Sequence, residues 1–204
     1  MPYTIETIAE RISARRVGDT PATIDWLLTD SRSLSFPEET LFFALTTKRN
    51  DGARYIPDLY SRGVRNFVVS KEAYKWVESG QLAMSNSDML AVNFLVVANP
   101  LKALQKLAEQ HREQFQIPVI GITGSNGKTI VKEWLHQLLS PERAIVRSPR
   151  SYNSQIGVPL SVWQMNGQSE LAIFEAGISE MGEMRALQNI IKPTIGILTN
   201  IGGA

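Results

Sequence analysis

Residues 118–129 read PVIGITGSNGKT, in which an apolar run leads directly into a glycine-rich turn that ends in lysine and threonine. The run Val119–Thr123 predicts a buried strand, and the spacing of the apolar residues in Lys128–Leu139 predicts a helix. A glycine turn between a strand and a helix lets successive backbone amides face one phosphate group, and the helix N-terminus adds partial positive charge. This stretch therefore predicts a phosphate-binding loop (P-loop) in a parallel α/β sheet.

The loop departs from the usual signature GxxxxGK[ST] at one position, where Ile122 stands in place of the first glycine. The ending Gly127-Lys128-Thr129 is intact. Lys128 is expected to reach the β- and γ-phosphates of a nucleotide, and the Thr129 hydroxyl is expected to bind Mg²⁺. The alternative is an ordinary glycine-rich turn with a solvated lysine, which the flanking strand and helix disfavour.

The rest of the second half alternates strands and helices. Leu171–Glu175 and Ile195–Thr199 predict two further strands, and residues 183–191 between them predict a helix. This alternation predicts a parallel sheet with right-handed crossovers. The helix that follows the glycine turn is expected to bury one stripe, formed by Val131, Trp134, Leu135, Leu138 and Leu139.

Glu175 closes the apolar run LAIFE and is followed by Ala176 and Gly177. A glutamate at the end of a buried parallel strand lies at the carboxyl edge of the sheet, which is also the edge of the P-loop. Because Mg²⁺ on a nucleotide usually needs help from a carboxylate, Glu175 is predicted to be a metal ligand beside Thr129. The alternative is a solvated charge at the end of a strand.

The first hundred residues contain short apolar runs separated by turn residues, and each run predicts a buried strand. The runs are residues 25–29, 41–45, 66–70 and 93–98, and the predicted helices between them are residues 53–62 and 71–78. Asn99-Pro100 favours a domain boundary, because the residue before proline disfavours helix. The predicted fold class is α/β, with a small mixed α/β domain over residues 1–99 and a P-loop parallel-sheet domain over residues 100–204.

Composition excludes several classes of function. The chain has 204 residues with 21 basic and 20 acidic side chains, and this balance indicates neither a nucleic-acid surface nor a polybasic membrane patch. It has no cysteine, which excludes disulfides and thiolate metal sites. No apolar run approaches the ~20 residues that span a bilayer, so no membrane insertion is expected. The absence of cysteine fits the cytoplasmic location that we expect. Because the chain stops at TNIGGA just after a strand-like run, it is expected to be a fragment of a longer protein.

Several segments resemble the Mur ligase superfamily, and together they cover the whole chain. The loop TGSNGKT resembles the family motif TGxNGKT, which accounts for Ile122 just before it. The other similar segments are YNSQIGVP (152–159), the ExG…GEM residues (175–177 and 182–184), TNIG (199–202), and, near the N-terminus, DSR (30–32) and LFFAL (41–45).

The resemblance implies an activity. Mur ligases join an amino acid or a peptide to a UDP-linked muramoyl precursor of peptidoglycan, using ATP and Mg²⁺ and forming an acyl phosphate. The segments are most similar to the branch that adds D-alanyl-D-alanine to UDP-N-acetylmuramoyl-tripeptide, and some members are fused to an alanine racemase. The alternatives are a diaminopimelate- or lysine-adding ligase, a folylpolyglutamate synthetase, and, outside the family, a P-loop NTPase or kinase.

The resemblance also implies roles for residues and domains. Residues 1–99 would bind the UDP-muramoyl substrate, and residues 100–204 would be a truncated central domain that is inactive without the missing C-terminal part. The implied ATP-binding residues are Thr123, Gly124, Ser125, Asn126, Gly127, Lys128, Thr129 and Asn200. The implied catalytic residues are Lys128, Asn153 and Glu175, and Asn153 would orient the substrate or a metal-bound water. The implied contacts to the UDP end are Asp30, Ser31 and Arg32, with Arg32 as the phosphate partner.

Overall fold

The structure is a computed structural model that describes residues 2–47, 50–81, 91–177 and 182–202. The chain divides into two compact units, and the division falls between Leu104 and Gln105, inside the helix Pro100–Arg112. Within the described ranges, no helix is both long enough and apolar enough to cross a membrane. The substrate and nucleotide roles given to the two predicted domains stay predictions.

The N-terminal unit contains a mixed five-stranded sheet and a separate two-stranded sheet. The strands are β1 (Tyr3–Thr4), β2 (Arg15–Val17), β3 (Thr23–Ile24), β4 (Trp26–Leu28), β5 (Thr40–Phe43), β6 (Asn66–Ser70) and β7 (Asn93–Val97). The helices are α1 (Ile5–Arg11), α2 (Ile56–Ser61) and α3 (Lys71–Glu78), and single 3-10 turns cover Ser31–Ser33 and Gly52–Tyr55. The four predicted apolar runs form β4 to β7, so the mixed α/β prediction is confirmed.

The larger sheet has the order β2-β7-β6-β5-β4, in which β4 to β7 run parallel and β2 runs antiparallel to β7. Phe42, Phe67 and Phe94 lie side by side on neighbouring strands, with ring centroids 6.3 Å and 5.7 Å apart, and each is at most 1% exposed. Such an aromatic pair adds about 0.5–1.5 kcal/mol beyond the area that it buries. This ladder fixes the register of the strands and aligns their carboxyl ends at one edge.

The second unit contains the P-loop and a parallel four-stranded sheet. The strands are β8 (Val119–Thr123), β9 (Ile145–Arg147), β10 (Leu171–Glu175) and β11 (Ile195–Leu198), in the order β11-β8-β10-β9. The helices are α4 (Pro100–Arg112, which begins in the first unit), α5 (Lys128–Leu139), α6 (Gly157–Val162) and α7 (Glu183–Ile191). The parallel sheet is as predicted, and Glu175 pairs with Ile122, so the end of β10 lies beside the beginning of the P-loop.

Helix α5 buries a different face from the predicted one. Val131, Leu135 and Leu139 pack against the core, but Trp134 is 63% exposed and Leu138 is 74% exposed. The buried arc is rotated toward Lys132, whose side chain is fully buried although it carries a charge. The prediction for Trp134 and Leu138 is therefore wrong, because the apolar spacing alone could not show that a lysine occupies part of the buried face.

Candidate functional site

The P-loop connects β8 to α5 and depends on two glycines with positive φ. Gly124 has φ +133° and Gly127, the residue before the helix, has φ +81°. A Cβ atom at Gly124 would overlap Thr199 Oγ1 and would lie 2.9 Å from the main-chain oxygen of Asn200. Only glycine fits at this point, because the backbone conformation and the close approach of residues 199–200 both exclude a side chain.

The segment Thr199–Gly202 holds the loop in shape from the far end of the unit. The Asn200 main-chain oxygen accepts the Ser125 N–H at 3.0 Å, and Asn200 Oδ1 accepts the Asn126 N–H at 2.9 Å. The Thr199 hydroxyl donates to the Asn126 oxygen, and the Gly202 N–H donates to Ser125 Oγ at 3.0 Å. The structure thus brings Asn200 onto the loop itself; its direct contact with ATP stays a prediction.

Lys128 folds back over the loop that precedes it. Its Nζ donates to the Gly124 oxygen at 2.6 Å and lies 3.4 Å from the Ser125 oxygen. The first backbone amides of α5 have no partner within the helix, as at any helix N-terminus. An ammonium group and these amides at the same place form a site for an anionic group, and a phosphate oxygen could replace the carbonyl oxygens around Nζ.

Glu175 and Thr129 meet at the carboxyl edge of the sheet. Glu175 is fully buried, and its Oε2 accepts a hydrogen bond from the Thr129 hydroxyl at 3.1 Å. The sequence brings them together because Glu175 is in register with Ile122 of β8, while Thr129 lies in the first turn of the next helix. The pairing that was predicted from the end of the LAIFE run is therefore present as a contact.

The two groups fit a magnesium ion that arrives with a nucleotide. Glu175 Oε1 forms an ion pair with Lys132 Nζ at 2.9 Å, which leaves Oε2 and the Thr129 hydroxyl, 3.1 Å apart, as two neighbouring oxygens beside the P-loop. Within the described part of the chain, no group of three or more His, Cys, Asp or Glu residues could hold a metal alone. Mg²⁺ commonly takes one or two protein oxygens and completes its shell with phosphates and water, which is what Thr129 and Glu175 leave room for.

Asn153 lies next to the segment that follows Glu175. Its main-chain oxygen accepts the Gly177 N–H at 2.8 Å, and a Cβ atom at Gly177 would lie 3.0 Å from Asn153 Cγ. The side chain therefore packs closely against Gly177, where an added Cβ would require the Asn153 side chain to shift by a few tenths of an ångström. Lys128, Thr129, Glu175 and Asn153 share one edge of the sheet, and the catalytic roles of Lys128, Asn153 and Glu175 stay predictions.

In the N-terminal unit, Asp30 and Arg32 form a closed pair. Asp30 Oδ1 accepts the Arg32 N–H at 3.0 Å, and the Arg32 guanidinium binds both carboxylate oxygens, with Nη2 2.6 Å from Oδ2. The hydrogen bonds from this guanidinium hold the pKa of the Asp30 carboxyl below its ordinary value. The Arg32 side chain is 87% exposed, so a phosphate that approached it would compete with Asp30.

A cavity of about 360 Å³ opens at the carboxyl edge of the N-terminal sheet. Thr46, Ser70, Trp76 and Asn99 are among the residues that line it. The Asp30 turn follows β4, and β4 runs parallel to β5, β6 and β7, so this turn and the cavity lie along the same edge of the sheet. Ligands in parallel α/β sheets bind outside this edge.

Comparisons with known proteins identify the family of this chain. A family model described as the Mur ligase middle domain matches residues 122–204. The UDP-N-acetylmuramoyl-tripeptide–D-alanyl-D-alanine ligase of Borreliella burgdorferi is 39% identical over 166 residues, or 81% of this chain. The crystal structure of MurF from Acinetobacter baumannii superposes on 100% of the chain with a TM-score of 0.83 and 26% identity. This chain belongs to the Mur ligase family.

A further solved structure, the MurF ligase from Thermotoga maritima in complex with ADP, is 28% identical and covers 87% of this chain and 38% of its own, with a TM-score of 0.69. This Mur ligase chain spans 35% of the length of the Borreliella protein and 42% of the Acinetobacter chain. The remaining length of those proteins has no counterpart in these 204 residues.

Sequence reasoning missed one member of the site of this Mur ligase, the buried Lys132. Its ammonium contacts the Glu175 carboxylate, and its main chain belongs to the same helix as Lys128 and Thr129. Residue type and spacing carried no signal for its burial, because a lysine beside a partly buried position such as Val131 is ordinarily solvent-exposed.

Proposed function

We propose that this chain is the precursor-binding and nucleotide-binding part of an ATP-dependent ligase that adds D-alanyl-D-alanine to UDP-N-acetylmuramoyl-tripeptide. The observation that carries the proposal is the meeting of Lys128, Thr129 and the buried Glu175 at one sheet edge. It is supported by relatives that are named as ligases of this specificity and by a similar structure that holds ADP.

The chemistry has two steps. The terminal carboxylate of the tripeptide attacks the γ-phosphorus of ATP, so that a carboxyl C–O–P bond forms and ADP leaves. The amine of D-alanyl-D-alanine then attacks the acyl carbon and gives up one proton, an amide forms, and inorganic phosphate leaves with the electron pair of the C–O bond. The first step joins two anions, so the enzyme must supply positive charge where they meet.

Each residue then has a part in binding or orientation. Lys128 and the first amides of α5 hold the β- and γ-phosphates, and the fixed position of the loop keeps the γ-phosphate in line with the attacking carboxylate. Thr129 and Glu175 hold Mg²⁺, which neutralises phosphate charge when it is bound. Asn153 orients the substrate carboxylate or a water molecule, and Asp30, Ser31 and Arg32 grip the UDP end. Such a ligase acts in cytoplasmic peptidoglycan synthesis and hence in cell shape and division.

The nucleotide part of the proposal is tested by calorimetric titration of the chain with Mg·ADP. We expect binding by the wild-type chain and roughly tenfold weaker binding by Lys128→Met, because a charge-assisted hydrogen bond to phosphate is lost. Lys192→Met is the matched control, since Lys192 pairs with Glu109 and Glu113 elsewhere in the same unit. Equal affinity of Lys128→Met and wild type would remove Lys128 from the nucleotide site.

The precursor part is tested by titration with UDP-N-acetylmuramoyl-tripeptide and with UDP. Binding of both is expected, with a loss of roughly tenfold or more in Arg32→Ala, because the diphosphate loses its guanidinium partner. Arg143→Ala, an exposed arginine of the second unit, serves as control. Binding of ADP without any binding of UDP would favour a folylpolyglutamate synthetase-like ligase, an NTPase or a kinase. Binding of UDP but not of the tripeptide precursor would favour another branch of the family.

A further inference from the structure

Lys132 is a buried cation that the proposed reaction does not itself use. Its side chain is fully buried on α5, one helical turn after Lys128. Nζ lies 2.9 Å from Glu175 Oε1 and 3.2 Å from Glu133 Oε1. A buried charge is costly unless it is paired, so the two carboxylates explain how the lysine can be buried. They do not explain why a lysine, rather than an apolar residue, occupies this position.

The same ammonium binds the chain that follows β9. Nζ donates to the Ser148 oxygen at 2.9 Å and to the Arg150 oxygen. Arg150 has φ +48°, which is uncommon for a residue other than glycine, so the turn needs outside support. Ser148 is itself tied to β10, because its Oγ accepts the N–H of Glu175 at 3.1 Å.

This turn leads directly to Asn153, whose main-chain oxygen binds the Gly177 amide two residues beyond Glu175. One ammonium group therefore joins three parts of the candidate site: the helix of Lys128 and Thr129, the carboxylate of Glu175, and the turn before Asn153. Because Lys132 contacts Glu175 at Oε1, the other oxygen, Oε2, is turned toward the Thr129 hydroxyl.

We infer that Lys132 is a positioning residue, which holds the Glu175 carboxylate so that Oε2 and Thr129 together receive the magnesium ion of the bound nucleotide. The inference rests on the proposed nucleotide-binding function. Lys132 acts through Glu175 and the Ser148–Arg150 turn and does not touch the nucleotide. Its tetrahedral ammonium suits oxygens that surround it from several directions, whereas the planar guanidinium of arginine does not.

The test compares ADP affinity with Mg²⁺ and with EDTA in wild type, Lys132→Arg and the control Lys192→Arg, by calorimetry. The ratio of the two affinities measures the contribution of the metal. We expect Lys132→Arg to keep the metal-free affinity and to lower the ratio roughly 10- to 100-fold, the usual effect of losing a group that orients a metal ligand. Lys192→Arg is expected to change neither value.

Two outcomes of this test would contradict a positioning role for Lys132. A folded Lys132→Arg chain with an unchanged ratio would overturn the inference, and so would equal weakening with and without Mg²⁺, since a merely structural lysine acts on both. If the wild type bound no ADP, the proposed nucleotide function would fail together with the inference. If the wild type bound ADP and Lys132→Arg had the same affinity ratio as the wild type, only the inference would fail.

A measurement on the unaltered chain covers the case in which Lys132→Arg does not fold. The ammonium of a buried, hydrogen-bonded lysine exchanges slowly enough for its Nζ signal to be followed by NMR. In the ADP complex, addition of Mg²⁺ is expected to shift the Lys132 signal. An unmoved Lys132 signal would overturn the inference without any variant.

Discussion

Replacing Gly124 with alanine is expected to abolish detectable binding of Mg·ADP. Alanine would have to adopt φ +133°, and its Cβ would overlap Thr199 Oγ1 and press on the Asn200 backbone. Either the loop or the Thr199–Gly202 segment must move, at a cost of about 2–4 kcal/mol in the stability of the unit. Displaced loop amides no longer face the phosphate, so affinity falls roughly 100-fold or more.

Calorimetry with Mg·ADP and thermal unfolding measure the two effects of Gly124→Ala in the same samples. Gly167→Ala is the matched control, because a Cβ at Gly167 meets no atom within 4 Å. The control is expected to bind ADP as the wild type does and to unfold within about 0.5 kcal/mol of it. Wild-type affinity in Gly124→Ala would show that the close approach of residues 199–200 does not shape the nucleotide site.

The second large effect is expected in the N-terminal unit, at Asn93. Its side chain is fully buried and makes four hydrogen bonds. Oδ1 accepts from Arg16 Nε and Nη2 at 3.1 Å and 2.9 Å, while Nδ2 donates to the Thr20 oxygen and to Asn66 Oδ1, both at 2.9 Å. Asn93→Ala leaves these groups without their partner, so we expect a loss of roughly 3–5 kcal/mol in the free energy of unfolding.

The loss is measured by hydrogen exchange of the β6 and β7 amides, which reports on this unit separately from the P-loop unit. Asn50→Ala is the control, because Asn50 is exposed to solvent. The hydrogen bond described for its side chain is the one that Oδ1 accepts from the Tyr55 hydroxyl. A change below about 1 kcal/mol for Asn93→Ala would mean that water replaces the lost amide. In that case water reaches the position of the Asn93 side chain more easily than the burial of that side chain indicates.

The parts of the fold that follow from local pattern were predictable. Strands Asn66–Ser70, Val119–Thr123 and Leu171–Glu175 and helix Lys128–Leu139 have the predicted bounds, because each is an apolar or periodic run closed by turn residues. Strand β2 was not predicted, since Arg15-Arg16-Val17 is polar and becomes a strand only by pairing with β7. Strand β9 and helix α6 were also absent from the predictions.

The candidate site shows the same division. The glycine turn, Lys128, Thr129 and Glu175 could be selected from residue type and spacing, and the structure brings all of them to one edge. The burial of Lys132 could not be predicted from residue type and spacing, because its partners Glu175, Ser148 and Arg150 come from other parts of the sequence. The apolar spacing of α5 therefore predicted a buried stripe through Trp134, whereas the Trp134 side chain is exposed to solvent.

The contact between Asn200 and the P-loop has a consequence for the order of assembly. Asn200 and Asn126, which are joined by a hydrogen bond from the Asn126 amide to Asn200 Oδ1, are 74 positions apart in the chain. The neighbouring hydrogen bond, from the Ser125 amide to the Asn200 main-chain oxygen, spans a similar distance in sequence. Contacts of such long range close late in folding, because the intervening chain must first be ordered. On the ribosome the loop can reach this shape only after residue 200 has emerged, so a nascent chain shorter than that gains no stabilisation from a nucleotide at this site.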